Sequence, residues 1–112
     1  MTLELRRVII FTENMAAMSA FYGEILGLPQ VAEEAGWRSF AAGSVEIALH
    51  RGGSMTGRRP PKLAFFAADV AAERSALMAQ GARMGRLLDH NGLLLSDGKD
   101  PDGNPFQISN RP

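Results

Sequence analysis

Few residues in this chain are suited to chemistry. His50 follows Glu46 at an even spacing, so in an extended segment the imidazole and the carboxylate share one face, where either can serve as a weak acid–base candidate. The plainer alternative is a histidine at a rim. His90, within Asp89-His90-Asn91-Gly92, reads as a turn residue, and Glu33 and Glu34 read as a solvated loop pair. Trp37, Phe40, Phe65, Phe66 and Phe106 are of a kind to wall a flat ligand or simply to fill a core. The run Asp100-Pro101-Asp102-Gly103 superficially suggests a calcium loop, but the third carboxylate position and the closing bidentate Glu are missing. It suits a tight turn: Pro101 fixes φ, Gly103 permits φ > 0, and the acidic side chains can bond back to the chain. No glycine-rich phosphate cradle follows a strand, and no nucleophile–base pair is legible.

The totals narrow the field. Cysteine is absent, which removes disulfides, thiolate chemistry and cysteine-bound zinc, and fits a cytoplasmic location. Twelve basic and 12 acidic residues give a net charge of zero, so no global field draws the protein to nucleic acid or anionic lipid. The charged start, Met1 to Arg7, does not resemble a signal peptide, and no apolar run approaches the length of a membrane span. A chain of 112 residues with 46% hydrophobic content is expected to be a single soluble domain, with neither nucleic acid nor membrane as a partner.

The elements that must position these residues follow a repeated grammar. Residues 3–11 read as a strand. Asn14 stands as the N-cap of a helix over Met15–Leu26, with Met18, Phe21, Tyr22, Ile25 and Leu26 along one stripe, and Gly27 and Pro29 stop it. Leu28–Val31, Trp37–Ala42 and Val45–His50 follow as strands, the last two joined at Gly43-Ser44. Residues 51–61 hold three glycines and two prolines and read as a linker, with Arg58 and Arg59 on a solvated rim. Lys62–Ala67 is then a strand, and Asp69 caps a helix from Val70 to about Gln80, which Gly81 ends. Arg83–Leu88, Leu93–Ser96 and Pro105–Ser109 complete the set. The offset that carries Asn14 onto Asp69 also carries Leu26-Gly27 onto Gly81-Ala82. Two βαβββ modules, about 3–50 and 62–109, are the economical reading.

Two stretches carry a further resemblance: Ala20-Phe21-Tyr22-Gly23-Glu24-Ile25-Leu26-Gly27-Leu28 after a strand, and Asp100-Pro101-Asp102-Gly103-Asn104-Pro105-Phe106 before the last one. In this order and separation they resemble the vicinal oxygen chelate superfamily, which includes glyoxalase I, the bleomycin-resistance proteins and the extradiol dioxygenases. The resemblance covers nearly the whole chain and implies an α+β fold. In it, two tandem βαβββ modules form a curled mixed sheet around a concave cup, with the helices outside. It also implies a homodimer. It does not fix a reaction, because the superfamily hosts many.

Metal-dependent members hold a divalent ion with His and Glu from four strands. Carried onto this sequence, those positions are Arg7, Ala48, Lys62 and Gln107. None is a His or a carboxylate, two are cations, and Ala48 has no donor, so the resemblance implies neither a metal nor another cofactor. The same mapping, with strand alternation, turns Arg7, Ile9 and Phe11 towards the cup, together with Glu46, Ala48 and His50, Lys62 and Phe66, and Gln107. Trp37 and Phe40 join them as possible walls. Arg7 or Lys62 must then meet either Glu46 or an anionic ligand, because unpaired buried charge is costly. The expected function is a metal-free protein that binds a small aromatic or anionic molecule. The alternative is a metal-independent lyase or isomerase using His50 or Glu46 as base.

Overall fold

A computed structural model describes residues 6–52 and 61–112. Arg58 and Arg59 of the expected linker, and the first expected strand before Arg6, lie outside the described residues. The chain divides into two compact units, Met1–Met55 and Thr56–Pro112.

The first unit runs β1 (Arg7–Thr12), α1 (Met15–Ala20), β2 (Gln30–Glu34), β3 (Trp37–Ala42) and β4 (Val45–Arg51). Its sheet has the order β1-β4-β3-β2, with β1 parallel to β4 and the remaining pairs antiparallel. The second unit runs β5 (Leu63–Phe66), α2 (Val70–Ala79), β6 (Arg83–Met84), β7 (Leu88–His90), β8 (Leu93–Lys99) and β9 (Pro105–Ser109). Here β5 is parallel to β9, β9 pairs with β8, and β6 and β7 share the far edge of β8. The repeat legible in the sequence is therefore a repeat of topology: an α+β chain with one mixed sheet in each unit.

Helix-facing positions form the two cores. Met18, Phe21 and Tyr22 are buried on the first helical segment, and Phe40, Ile47 and Leu49 are buried on β3 and β4. In the second unit Val70 and Leu77 of α2 are buried, as are Phe106 and Ile108 of β9. Phe65 meets Phe106 edge-on at 6.3 Å, a favoured aromatic geometry.

Several boundaries differ from expectation for physical reasons. The first helix is α-helical only to Ala20 and continues as a π-helical turn over Phe21–Ile25, closed by the Leu26 N–H donating to the Phe21 carbonyl at 2.9 Å. Asn14 occupies the N-cap position, but its side chain makes no capping bond; its own N–H donates to the Thr12 hydroxyl at 2.9 Å. Asp69 caps as expected, accepting from the Ala72 N–H at 3.0 Å. At the other end of α2, Ala82 N–H bonds the Leu77 carbonyl and Gly81 N–H the Met78 carbonyl, with Gly81 at φ +94, a Schellman closure. Glu33 and Glu34 are not loop residues: β2 extends through both and turns into β3 around Gly36. There Arg38 pairs with Glu33 at 3.1 Å. The strand expected over Arg83–Leu88 is interrupted, so β6 and β7 flank a gap where Gly85 donates to the Asp97 carbonyl. His90 ends β7, and the turn falls on Asn91 and Gly92, at φ 54 and 92.

The turn before β9 is built around a buried carboxylate. Asp100 is 0% exposed, and its Oδ1 accepts from the Asp102 and Asn104 N–H groups at 2.9 and 2.8 Å. Its Oδ2 accepts from the Asn104 side-chain amide at 2.8 Å. Asp100→Ala leaves these donors without that acceptor and is expected to lower stability by roughly 2–4 kcal/mol. A shift of the urea midpoint in circular dichroism checks it. Gly98, opposite Phe106 on β8, is constrained differently. A Cβ there would stand 2.8 Å from the Phe106 ring and 2.6 Å from the Met84 sulfur. Gly98→Ala is accordingly expected to cost about 1–3 kcal/mol by overpacking, measured in the same way.

Candidate functional site

The parallel register of β1 on β4 and the antiparallel register of β3 on β4 place three residues in each row across the first sheet. Arg7 is level with Glu46 and Ala41, Ile9 with Ala48 and Ser39, and Phe11 with His50 and Trp37. Partners in adjacent strands project to the same side. This face, opposite the one that carries Phe40, Ile47 and Leu49, brings together seven expected residues: Arg7, Ile9, Phe11, Trp37, Glu46, Ala48 and His50. Phe40 does not stand with them. It is 1% exposed and lies beneath the helical segment, where a Cβ on Gly23 would meet its ring at 2.9 Å. There it lines a groove of about 320 Å³ together with Ser19, Glu24 and Gln30.

The sheet face is graded along the strands. At one end are the three rings: His50 lies 5.3 Å from Phe11 and 5.8 Å from Trp37, edge-on to the latter. In the middle, Ala48 and Ser39 are buried, while Ile9 is 45% exposed. At the other end Arg7 pairs with Glu46 at 3.7 Å, and its guanidinium also reaches over the Trp37 ring, 6.0 Å from the centroid. Phe11 is 50% exposed, so this aromatic end is open. His50 Nδ1 lies 2.7 Å from the Arg51 carbonyl. A carbonyl only accepts, so Nδ1 carries the proton of the neutral ring and Nε2 keeps its lone pair. His50 and Glu46 each take a different partner and do not form an acid–base couple with one another.

In the second unit Ala64 is level with Gln107 and Asp97, and Phe66 with Ser109 and Leu95. Phe66 is 64% exposed. Lys62, just ahead of β5, bonds Asp97 Oδ1 at 3.0 Å, and the Gln107 side-chain amide donates to the same oxygen at 3.1 Å. Lys62 thus meets Asp97 rather than Glu46. Sequence reasoning missed Asp97 by ending its strand at Ser96. The alternation Leu93, Leu95, Asp97, Lys99 was the available signal, because it puts Asp97 on the face of Gln107.

Partial burial pushes the Asp97 carboxyl up, but the hydrogen bonds from Lys62 and Gln107 and the charge of Lys62 outweigh it and hold the group below its ordinary value. The four positions implied for metal ligands therefore present a paired guanidinium, a methyl group, a paired ammonium and an amide bonded to a carboxylate. This donor set does not fit a divalent ion. Among the described residues no group of three or more His, Asp or Glu is arranged to hold a metal, and no helix is long and apolar enough to cross a membrane.

A glyoxalase-like domain matches residues 7–109, and the chain belongs to this family, within the vicinal oxygen chelate superfamily. Among solved structures, it is similar to a glyoxalase/bleomycin resistance protein/dioxygenase family enzyme from Burkholderia phytofirmans PsJN, at 22% identity and TM-score 0.84 over 96% of this chain and 98% of that one. TnmS3, an antibiotic binding protein from Streptomyces sp. CB03234, aligns at 19% identity and TM-score 0.82 over 96% and 95%. A fosfomycin resistance protein from Listeria monocytogenes, complexed with Mn(II) and a dihydroxypropylphosphonic acid, aligns at 16% identity and TM-score 0.83 over 100% and 93%. No curated protein sequence gives a match.

The Asp97 carboxylate fixes a sign for acid stability. Its folded value is lowered from 3.8, so its contribution is complete above that value and is lost as pH falls through the depressed one. Comparing the wild type with Asp97→Asn in thermal melts from neutral pH down to about pH 2 should show the wild type losing more of its midpoint at the acid end. Parallel curves would contradict the assignment.

Proposed function

We propose that this protein binds a small aromatic molecule without a metal, in the manner of the bleomycin-resistance branch of its family. The observation that carries this reading is the row Phe11–His50–Trp37, exposed at Phe11 and His50 and half-buried at Trp37, beside the half-exposed Ile9. Stacked, offset or edge-on contacts with such rings suit a flat organic ligand. The two cations considered for an anionic ligand argue for a neutral one, since Arg7 faces Glu46 and Lys62 faces Asp97. A ligand anion would have to displace a carboxylate already in place. The antibiotic-binding neighbour supports the reading. The manganese-containing neighbour does not transfer, because none of the four mapped positions here supplies a His or a carboxylate. The dimer implied by the family resemblance belongs to the same proposal. Sedimentation should then return twice the 12.1 kDa chain mass, and the chain mass itself would remove that part of it.

Trp37 is the only tryptophan, so its emission reports on this face alone. Titration with a panel of planar aromatic compounds is expected to quench or shift it. Trp37→Ala, followed by calorimetry, should weaken binding about tenfold, the equivalent of one good aromatic contact. No response across the panel would sink the proposal, and a stoichiometric, tightly held metal in elemental analysis would overturn its metal-free part.

A further inference from the structure

We infer that His50 is a specificity-determining residue, which selects aromatic ligands carrying an N–H or O–H donor through its Nε2 lone pair. This deepens the reading proposed above and rests on it.

Three observations meet at this side chain. Its ring is level with Phe11 and Trp37 in the row that gives the face its aromatic character, so a flat molecule lying against either neighbour comes within reach of the imidazole edge. The Nδ1 contact with the Arg51 carbonyl at 2.7 Å fixes the neutral tautomer from outside the site, because the carbonyl can only accept. Nε2 is then a pure acceptor, and no hydrogen bond to it is formed among the described residues.

The charged groups on this face are already paired. Arg7 and Glu46 are bonded to one another, so their charges cancel before any ligand arrives. Within the aromatic row itself the polar atom left to a ligand is the Nε2 acceptor, and the complement of that is a phenol or an N–H heteroaromatic. Neither a carboxylate nor an aromatic without a donor satisfies it. A carboxylate has no proton to give and would bring its lone pairs against that of Nε2.

The test is calorimetry in mildly alkaline buffer with three probes of one ring system: 2-naphthol, its methyl ether and 2-naphthoate. Naphthol is expected to bind the wild type about five- to tenfold more tightly than the ether, the worth of one net hydrogen bond, and naphthoate should be weakest. His50→Phe should keep the affinity for the ether and erase the preference for naphthol. His50→Gln, which retains an acceptor, should restore part of it. Circular dichroism confirms that both variants are folded, as an exposed position permits. Equal binding of naphthol and ether to the wild type, or a preference that survives in His50→Phe, overturns this inference while leaving the aromatic-binding reading intact. Tightest binding of naphthoate overturns both the donor preference and the neutral-ligand argument. If none of the probes binds, the underlying reading fails and this inference with it.

Discussion

Each unit depends on a parallel pairing between its first and last strands. Parallel neighbours cannot be joined by a tight turn, so the chain must leave the sheet, form a helix and return through the remaining strands before its last strand reaches the first. That detour explains why each helix covers one face and leaves the other without a helical partner from its own unit. The same pairing sets the register that brings Arg7 level with Glu46 and Phe11 level with His50. A slip of one residue would turn the apolar set of β1 to the opposite side. The candidate site is therefore a product of register more than of any loop.

Within that register, charge is settled locally. Arg7 with Glu46, and Lys62 with Asp97 and Gln107, form small polar clusters whose charges cancel, and both remain partly solvated. Exposed pairs of this kind add little to stability. Their effect on recognition is larger, because they remove from the sheet faces the free cations that would otherwise attract anions. The aromatic row is then the least committed part of the first face.

The sequence was most informative where periodicity and turn chemistry agreed. Trp37–Ala42 and Pro105–Ser109 appear with the expected bounds, and the Asp69 cap and the stops at Gly27 and Gly81 appear where expected. Elsewhere a competing interaction decided the outcome. β2 captured Glu33 and Glu34 because pairing with β3 outweighs the polarity of two exposed side chains. Asn14 makes no side-chain cap, and its own N–H is held by the Thr12 hydroxyl. For the site, alternation alone could place Arg7, Ile9 and Phe11 together, yet it also warned against Phe40, which is an odd number of residues from Trp37 and cannot share its face. The partner of Lys62 was legible only in the alternation past Ser96, where the end of β8, like any element end, is the least determined part of the pattern.

The π-helical turn at Phe21–Ile25 has a meaning in terms of chain length. A ring closed by a bond to the fifth residue holds one residue more than an α-helical ring. The turn is thus a single residue of surplus, absorbed without breaking the helix. It lets Phe21 and Tyr22, which are adjacent in sequence, both reach the buried side, and it re-phases the chain before Gly27 turns it towards β2. The helix and the sheet beneath it are matched by this one accommodated insertion, so this segment has no freedom to change length by a residue and keep the same faces inward.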